Sequence, residues 1–536
     1  MKRWALAVLA GLILLRCMGD DPETPRLMVV LVVDQMRGDY IERFGDQWVG
    51  GLARIVERGA VFTDAVHDHA ATVTAVGHAT VPTGVVPARH GIVWNDFFDR
   101  SEGRVVYPPE DAGTRILGAP RSEGRSPHRL RRSGLSDWVK DADADSRVYS
   151  LSLKDVSAIM MGGTGADAAF WVDRETERVV TSTYYMSDMP DWVESHGSRD
   201  RIASIIGNVG SRTLGAALRD EVSPWDEISP PDLVESEDDR PFVDEVTLLL
   251  ARAAVERERL GHDDTPDVLF LGISASDFVG HRFGPDSDEV RDFYLELDRY
   301  LGEFFEFLDR QVGKERWSLV LTADHGVGPT PEETRRRGGD ARRIPDATFE
   351  SDVRAAARAA ASEADLDDDL SIRWLDGPFL RSEGASDREL RRFRRAFAER
   401  LAEIDWIEWA FPSDEVTRAD PRGTDPIDWF GRSYDADRSP DVLYSIRRNH
   451  LVGSTTASHG TPHYYDRHVP IVFMGPGIHP GVHDERVRTV DIAPTVAALL
   501  GVKAPGDLDG RVLRRVLPWP LKEIVGPRSL GGTFDE

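Results

Sequence analysis

The sequence is poor in cysteine and lysine. Its 536 residues contain one cysteine, Cys17, so a disulfide within the chain is excluded. Lysine occurs at only six positions, although Lys and Arg together number 66, so arginine supplies nearly all of the positive charge. A GC-rich or salt-adapted genome is the simplest cause of this bias. Because lysine is rare in this chain, the position of each internal lysine is nevertheless of interest.

Positive charge as a whole is also outweighed. The 93 acidic residues give the chain a formal net charge of −27 at pH 7. A surface of this sign repels the phosphates of nucleic-acid polymers, so we expect no nucleic-acid partner. Small anions stay admissible, because a local metal ion or a lysine can outweigh the field of the whole chain.

The N-terminal residues have the pattern of an export signal. A basic start is followed by an apolar run from Trp4 to Leu15 and then by polar, proline-bearing sequence. This is typical of a secretory signal over residues 1–22, and the run is too short to span a membrane. Cys17 stands where a lipoprotein signal has its acylated cysteine, although Arg16 replaces the preferred small residue. We expect an exported, periplasmic or cell-surface protein, with a lipid anchor as an open alternative.

Strand-like and helix-like segments alternate along the rest of the chain. Continuous apolar runs lie at 27–36, 267–277, 317–326 and 469–477. Helix-like segments lie at 47–58, around Thr80, and at 243–258 and 287–311. This alternation predicts an α/β fold with a mostly parallel central sheet flanked by helices. We expect the domain to span about 25–520.

Two stretches depart from the alternation. Residues of about 160–240 are rich in Asp, Ser and Arg, and about 330–455 has helices and short strands of its own. We interpret both as insertions that form a cap over the sheet.

Asp277 and His281 are the first candidate site residues. They lie four positions apart in SASDFVGHRFGP, so a helix after the strand places both side chains on one face, as in metal sites. Taken alone, the pair is explained more simply as a surface aspartate and a capping histidine. Acidic and imidazole residues at the ends of other runs favour the metal site. They are Asp34, Asp324, His325 and His459.

These six residues share a predicted location at the carboxyl-end rim of the sheet, where the sites of α/β proteins lie. Neighbours within a strand point to opposite faces, so Asp324 and His325 can converge only past the strand end, where Gly326 permits a turn. Carboxylate and imidazole ligands without thiolates suit zinc, or manganese if oxygen dominates. Six or seven donors exceed the needs of one tetrahedral ion, which predicts two metal ions.

A threonine-rich loop offers a nucleophile for this cluster. Thr74 lies in HAATVTAVGHAT, ahead of a helix predicted to begin near His78. Its hydroxyl would be both a metal ligand and a nucleophile at a helix N-terminus, where an anionic substrate is favoured. Thr72 is a competing candidate by residue type. Threonines that only cap the helix explain the loop if it is considered alone.

Several motifs, in sequence order, resemble a known family. They are VVDQMRGDY, TVTAVGHAT, TGVVPARHGIVWNDFFD, SLKD, DFVGH, TADHG, RSYDADRSPDVLYSI and SHGTPHYYD. From about residue 27 to 515 the chain resembles the alkaline phosphatase superfamily, in the branch of type I phosphodiesterases, nucleotide pyrophosphatases and phosphate-irrepressible alkaline phosphatases.

The resemblance implies two Zn²⁺ ions and a covalent phosphothreonine that water then hydrolyses. In the family's pattern each ion has its own protein ligands. One set would be Asp277, His281 and His459. The other set would be Asp34, Thr74, Asp324 and His325.

The resemblance also implies three catalytic residues. Thr74 rather than Thr72 is the nucleophile, because the family's threonine stands four residues before the histidine of the Gly-His pair, here His78. Asn95 would donate to a non-bridging phosphate oxygen, and Lys154 would reach the phosphoryl group from the opposite side.

The sequence departs from the monoesterase pattern beside Lys154. Monoesterases of this branch have an arginine two residues after the lysine, where this chain has Val156. Its loss removes a charge-assisted contact of about 1.5 to 3 kcal/mol to a phosphate monoester. Lys154 and Asn95 favour a monoesterase, since diesterase relatives lack the lysine. We therefore expect an alkaline phosphomonoesterase of small phosphate esters, with a phosphodiesterase or nucleotide pyrophosphatase as the alternative. Arg37, or an arginine from the predicted cap, is a candidate to replace the arginine that is missing at Val156.

Other interpretations fit less well. Sulfatases need a modified cysteine or serine in a motif of their own, and the one cysteine lies in the signal. A phosphomutase prefers manganese. A non-catalytic surface binding protein is least favoured, because all seven ligand positions carry competent residues. His463 is expected near the cluster or at the surface, and His90 in a structural turn. The oligomeric state stays open.

Overall fold

The structure, a computed structural model, describes residues 24–173, 175–202, 244–366, 371–375, 377–381 and 384–517. The predicted signal and Cys17 lie outside the described residues. No helix among the described segments has the length and apolar character needed to cross a membrane.

Eighteen strands occur in the described residues and are numbered in chain order. They are β1 Leu27–Val33, β2 Ala60–Val66, β3 Phe97–Asp99, β4 Arg104–Val106, β5 Ile116–Leu117, β6 Val148–Ser152, β7 Ala168–Asp173, β8 Arg178–Ser182, β9 Asp267–Ile273, β10 Trp317–Thr322, β11 Arg343–Ile344, β12 Ser371–Trp374, β13 Pro378–Arg381, β14 Ile407–Pro412, β15 Val442–Ile446, β16 Leu451–Val452, β17 Ile471–Met474 and β18 Gly481–Arg488.

The α-helices of the described residues are numbered in the same way. They are α1 Tyr40–Phe44, α2 Gly51–Arg58, α3 Thr74–Thr83, α4 Pro87–His90, α5 Leu135–Ala142, α6 Asp155–Gly162, α7 Asp191–His196, α8 Asp244–Arg257, α9 Ala275–Phe283, α10 Asp288–Leu308, α11 Pro331–Arg336, α12 Asp346–Ala364, α13 Asp387–Ala402, α14 Ser413–Val416, α15 Pro426–Ser433, α16 Tyr464–Arg467 and α17 Ile492–Leu499.

Ten strands form one sheet in the order β18-β2-β17-β10-β1-β9-β6-β7-β8-β5. The pairings of β1 with β9 and β10, of β6 with β7 and β9, and of β2 with β18 are parallel. Only β17 and β8 run against the other eight strands. The prediction of a mostly parallel sheet is confirmed. The run at 469–477 contributes the reversed strand β17, whose direction its apolar pattern does not reveal.

Helices cover both faces of this sheet. Along β1, Leu27, Val29, Leu31 and Val33 belong to one buried apolar cluster, and the alternate residues Met28, Val30 and Val32 belong to another. The first cluster is shared with α8, α9 and α10, and the second with α5 and α17. Burial on both faces explains why the central strands are apolar throughout.

The two expected insertions have different outcomes. Residues 168–182 form β7 and β8 of the central sheet, so the expectation of a cap is wrong for this part of the 160–240 stretch. Residues 203–243 of that stretch lie outside the described residues. The 330–455 stretch has an apolar cluster of its own between α12, α13, β14 and β15, and its two-stranded sheets are separate from the central one. Its role as a cap stays a prediction.

Candidate active site

Three neighbouring strands deliver the predicted acidic and histidine residues to one rim of the sheet. Asp34 follows β1 directly, and Asp324 and His325 follow the last residue of β10, Thr322. β9 leads into α9, which carries Asp277 and His281. Because β1, β9 and β10 are adjacent and parallel, their carboxyl ends meet at the same edge. The helix predicted from the four-residue spacing is present.

Asp277, His281 and His459 form one compact group. His281 Nε2 lies 3.2 Å and His459 Nε2 lies 3.7 Å from Asp277 Oδ1. The two Nε2 atoms are 3.1 Å apart. One ligand atom from each of the three residues falls within 4.8 Å of the others, which is close enough to share one metal ion.

A second group lies beside the first. Asp34, Asp277 and His325 also place one ligand atom each within 4.8 Å of one another. His325 Nε2 is 3.5 Å from Asp34 Oδ1 and 3.5 Å from Asp324 Oδ2. The structure therefore brings the six predicted acidic and histidine residues together at the rim. Asp277 belongs to both groups, whereas the family pattern assigns it to one ion only.

The protonation of the three histidines tests whether metal ions fit this site. Each Nδ1 lies 2.9 Å from a backbone carbonyl oxygen, which can only accept, so each Nδ1 carries the proton and each neutral ring offers Nε2 as an acceptor. The carbonyls belong to Ala457 for His281, Gly326 for His325 and Thr72 for His459.

Acceptor atoms therefore converge at the rim. When both rings are neutral, the Nε2 atoms of His281 and His459 face each other with lone pairs, an arrangement that a cation between them makes favourable. Asp34 Oδ1 and His325 Nε2 are buried without a hydrogen-bond partner among the described residues, and Asp324 Oδ2 lies 3.1 Å from His78 Nδ1. Oxygen and imidazole donors in these numbers fit two zinc ions.

Lys154 lies between the carboxylates. Its Nζ is 2.7 Å from Asp34 Oδ2 and 2.7 Å from Asp277 Oδ2, and it stands 4.8 Å from the centre of the Phe278 ring. Burial alone would lower the pKa of Lys154, but these two carboxylates raise it, so the ammonium stays charged. Lys154 is thus a site residue and not a surface lysine.

Burial and neighbouring charges shift the pKa values of the site carboxylates and histidines in different directions, and burial alone would lower that of His281 but Asp277 raises it. Burial and the charge of Asp277 raise the pKa of Asp34. Burial alone would raise the pKa of Asp277 as well, but Lys154 lowers it well below the usual range. Burial and His325 lower the pKa of His459, which keeps that imidazole in its neutral, ligating form.

The two candidate threonines differ in what their hydroxyls do. Thr72 Oγ1 donates to the carbonyl oxygen of Thr461 at 2.9 Å, so its proton is already engaged. Thr74 is the first residue of α3, which begins four residues earlier than the predicted start at His78. The sequence analysis placed Thr74 in a threonine-rich loop, whereas the structure makes it the first residue of the helix, in which Gly77 lies against the backbone of Asp324.

Asn95 lies at the same helix end. Its Oδ1 accepts a hydrogen bond from the backbone N–H of Ala75 at 2.8 Å. That bond satisfies one of the free amides of the first turn and orients the side chain, so that Nδ2 is the atom left to donate. The structure therefore places the predicted phosphate donor next to the predicted nucleophile.

Within the described residues, no arginine is paired with the site carboxylates in a way that would offset the departure at Val156. Val156 is buried in an apolar cluster with Val73 and Ile159. Arg37 is held by Asp39 in two hydrogen bonds of 2.9 Å and 2.7 Å. Among the described residues, no arginine forms an ion pair with Asp34, Asp277 or Asp324.

Two further histidines have structural positions. His463 donates through Nε2 to the carbonyl oxygen of Ile446 at 2.8 Å and packs against Trp409, so it contacts the 330–455 stretch. His90 ends the short helix α4 and is buried, with Nε2 lying 3.1 Å from Thr80 Oγ1.

Sequence reasoning missed two residues that hold the ligands. Gln35 contacts both Asp277 and Asp324, and the Ser276 hydroxyl bonds to the backbone carbonyl of Asp34 at 2.5 Å. Neither residue type is a usual zinc ligand, and only their adjacency to Asp34 and Asp277 could have drawn attention to them.

Comparisons with known proteins agree with this site. The family model described as type I phosphodiesterase / nucleotide pyrophosphatase matches residues 28–370. The chain is 31% identical to alkaline phosphatase PafA of Elizabethkingia meningoseptica, over 98% of this chain and 99% of that protein. It is 30% identical to alkaline phosphatase PhoV of Synechococcus elongatus, over 92% and 93% of the two chains.

The fold and the spacing of the site residues match a solved relative. The crystal structure of PafA superposes with a TM-score of 0.81 at 29% identity, covering 93% of this chain and all of that one. A solved PafA variant has a threonine and an asparagine replaced 21 positions apart, and a lysine and an arginine two positions apart. Thr74 and Asn95 have the first spacing, and Lys154 and Val156 have the second, without the arginine. The chain therefore belongs to the type I phosphodiesterase / nucleotide pyrophosphatase family of phosphate ester hydrolases.

Proposed function

We propose that this protein is an alkaline phosphomonoesterase that uses two zinc ions and forms a covalent phosphothreonine on Thr74. The observation that carries the proposal is the convergence of buried carboxylate oxygens and imidazole Nε2 atoms around the N-terminus of α3. The similarity to alkaline phosphatases over nearly the whole chain supports the same conclusion.

The ligand sets follow the groups described above. Asp277, His281 and His459 would hold one ion, and Asp34, Asp324, His325 and Thr74 would hold the other. Zinc at these positions would lower the pKa of the threonine hydroxyl and neutralise charge on the phosphate oxygens.

The residues of the chain then act on a bound phosphate ester. Thr74 Oγ1 loses its proton to solvent and attacks phosphorus, and the bond to the leaving alcohol breaks with its electron pair going to the alcohol oxygen, which takes a proton from water. Among the described residues no hydrogen bond engages the Thr74 hydroxyl, in contrast to that of Thr72, and this favours the assignment. Asn95 Nδ2 donates to a non-bridging oxygen, and Lys154 supplies positive charge from the other side. Water then hydrolyses the phosphothreonine and regenerates the hydroxyl.

Lys154 and Asn95 favour a monoester substrate. A monoester carries one more negative charge than a diester, and both residues supply donors for its non-bridging oxygens. Lys154 Nζ is charged and lies 2.7 Å from a carboxylate oxygen of Asp34 and 2.7 Å from one of Asp277, so it brings positive charge to this rim.

The second candidate function is phosphodiester hydrolysis, which Val156 favours. In the solved PafA variant, the replaced arginine stands two positions after the replaced lysine, and Val156 has the corresponding spacing from Lys154 here. Val156 also packs in one apolar cluster with Val73, the residue directly before Thr74. An apolar wall there suits an ester group better than a second charged oxygen.

Metal removal and restoration test the proposal. Release of phosphate from an aryl phosphate should be abolished by a chelator and restored by two equivalents of zinc per chain. Restoration by manganese but not by zinc would contradict the choice of metal, and no turnover by the zinc-loaded protein would favour a non-catalytic binding role.

We also propose export directed by the signal pattern within residues 1–22, and we test the open alternative of a lipid anchor, in which cleavage falls directly before Cys17 and that cysteine is acylated. The mature protein from a bacterial host should begin at Cys17 and carry a lipid by mass spectrometry. A Cys17→Ser variant that is cleaved at the same bond would contradict acylation but leave export standing.

A further inference from the structure

Gln35 has an unusual backbone conformation for its residue type. Its φ is +63°, in the left-handed region, and it is 2% exposed. The other non-glycine residues with positive φ in the described chain, Glu177, Arg259, Asp365 and Asn449, are half-buried or exposed. The Met36 N–H bonds to the Val33 carbonyl at 3.2 Å, which places Gln35 at the third position of a turn that favours glycine. A side chain kept at such a position is expected to have a role that glycine could not fill.

The contacts of Gln35 supply that role. Its backbone N–H donates to Asp324 Oδ1 at 3.1 Å. Its side-chain Nε2 donates to Asp277 Oδ1 at 2.6 Å. Asp324 follows β10 and Asp277 lies on α9 after β9, on opposite sides of β1. One residue therefore joins the two carboxylates across the strand that separates them.

Asp277 Oδ1 is the carboxylate oxygen that faces His281 and His459, the other two residues of its ligand group. It is the atom that lies 3.2 Å from His281 Nε2 and 3.7 Å from His459 Nε2. The other oxygen, Oδ2, faces Lys154. A neutral amide N–H fixes the direction of Oδ1 without cancelling its charge, and leaves a lone pair for a metal ion.

Gly280 makes room for the Gln35 amide. A β-carbon at this position would lie 1.8 Å from Gln35 Oε1, so any larger residue would displace the amide. Glycine is unfavourable inside a helix, and Gly280 stands in α9 directly before His281. The close approach of the amide therefore accounts for a glycine in the helix that carries two ligands.

We propose that Gln35 is a positioning residue that orients Asp277 and Asp324 for metal binding. The backbone N–H holds Asp324, and the side chain, through Nε2, holds Asp277. The inference rests on the proposed two-zinc function, which it deepens. Loss of the Gln35 side chain should weaken zinc at the Asp277, His281 and His459 group and leave the fold intact.

Replacement of Gln35 by glycine separates the side chain from the backbone. Gln35→Gly retains the left-handed turn and the N–H to Asp324 but removes the donor to Asp277. We expect the Gln35→Gly variant to bind one of its two zinc ions about 10- to 100-fold more weakly than the wild type does. Equilibrium competition with a chromogenic chelator measures both affinities. Arg259→Gly is the matched control, because Arg259 is exposed and also has a left-handed φ, of +56°. This control should retain wild-type affinity at both sites.

Thermal unfolding in excess chelator distinguishes positioning from folding. Both glycine variants should unfold at or above the wild-type temperature, since each removes a β-carbon from a left-handed conformation. A double-mutant cycle gives a second test. Gly280→Ala alone should weaken zinc at the same site, whereas adding it to Gln35→Gly should cost little more, because the clashing amide is gone.

The outcomes separate this inference from the proposed function. A wild-type protein that binds two zinc ions while Gln35→Gly binds both with unchanged affinity would overturn the positioning role alone. A wild-type protein that binds fewer than two zinc ions would overturn the proposed function itself. Additive losses in the Gln35 and Gly280 cycle would also contradict the inference, since they would show that the two side chains act independently.

Discussion

At the scale of single residues, the hydroxyl of Thr74 is distinguished from that of Thr72 by its surroundings. Thr72 donates to the Thr461 carbonyl, and Thr74 begins α3 beside Asn95. Spacing to His78 suggested the same choice only by resemblance. The hydrogen bond of Thr72 is a tertiary contact between residues 389 positions apart, which no local pattern could have revealed.

We predict that Thr74→Ala lowers kcat/KM for an aryl phosphate by at least about 10³-fold, because the nucleophile is lost. Thr72→Val, its matched control, removes a hydroxyl used only for structure and should lower the value less than about tenfold. Acid quenching during turnover should trap phosphate on wild-type Thr74. Phosphate found on Thr72 by peptide mass spectrometry would contradict the assignment.

Val156 occupies the position that we expect to set the preference between monoester and diester substrates. We predict that Val156→Arg raises the ratio of monoester to diester kcat/KM by about 10-fold or more, because a charge-assisted contact is worth about 1.5 to 3 kcal/mol and a monoester gains more from it. Val156→Leu controls for volume in the apolar cluster and should leave the ratio unchanged. An equal change in both substrates for Val156→Arg would show that the position does not contact the phosphoryl group.

At the scale of elements, the strands that carry ligands were predictable and the start of the nucleophile helix was not. The apolar runs before Asp34, Asp277 and Asp324 became β1, β9 and β10, since central parallel strands have no polar face to interrupt the run. Helix α3 begins at Thr74, and Gly77 in its first turn lies against the backbone of Asp324, a long-range contact that the local sequence does not reveal. Gln35 and Lys154 act through similar long-range contacts.

Gly77 sets how closely α3 approaches Asp324. A β-carbon there would lie 2.1 Å from the Asp324 carbonyl oxygen. Helix propensity favours Gly77→Ala by about 1 kcal/mol, whereas overpacking against backbone costs about 1 to 3 kcal/mol, so we predict a net loss of stability and weaker zinc binding. Denaturant unfolding of Gly77→Ala beside Gly506→Ala, where a β-carbon meets nothing within 4 Å, checks this. A stabilised, fully active Gly77→Ala variant would contradict it.

At the scale of the whole molecule, buried neutral histidines link stability to pH. Burial lowers the pKa of His90 to about 3 and that of His67 to about 4. Below about pH 6.5 the unfolded chain binds protons on these rings while the folded protein does not, so acidification favours unfolding. This loss adds to any release of metal ions at low pH.

We predict that wild-type stability falls relative to His90→Gln by about 1.4 kcal/mol per pH unit between about pH 6 and pH 4, because only the wild type has this proton to gain on unfolding. At pH 8 the wild type should be the more stable protein, since His90 satisfies the Ile92 N–H and Thr80. Unfolding of both proteins in chelator across this pH range measures the difference. A constant difference would mean that His90 is not buried neutral.

The ratio of monoester to diester hydrolysis tests the central claim most directly. One zinc-loaded preparation should be assayed with an aryl phosphate monoester and with the methyl diester of the same aryl group, so that the leaving group is held constant. We predict a higher kcat/KM for the monoester, because Lys154 and Asn95 supply donors for its additional charge. A clear preference for the diester would contradict the account and make phosphodiester hydrolysis the function of this site.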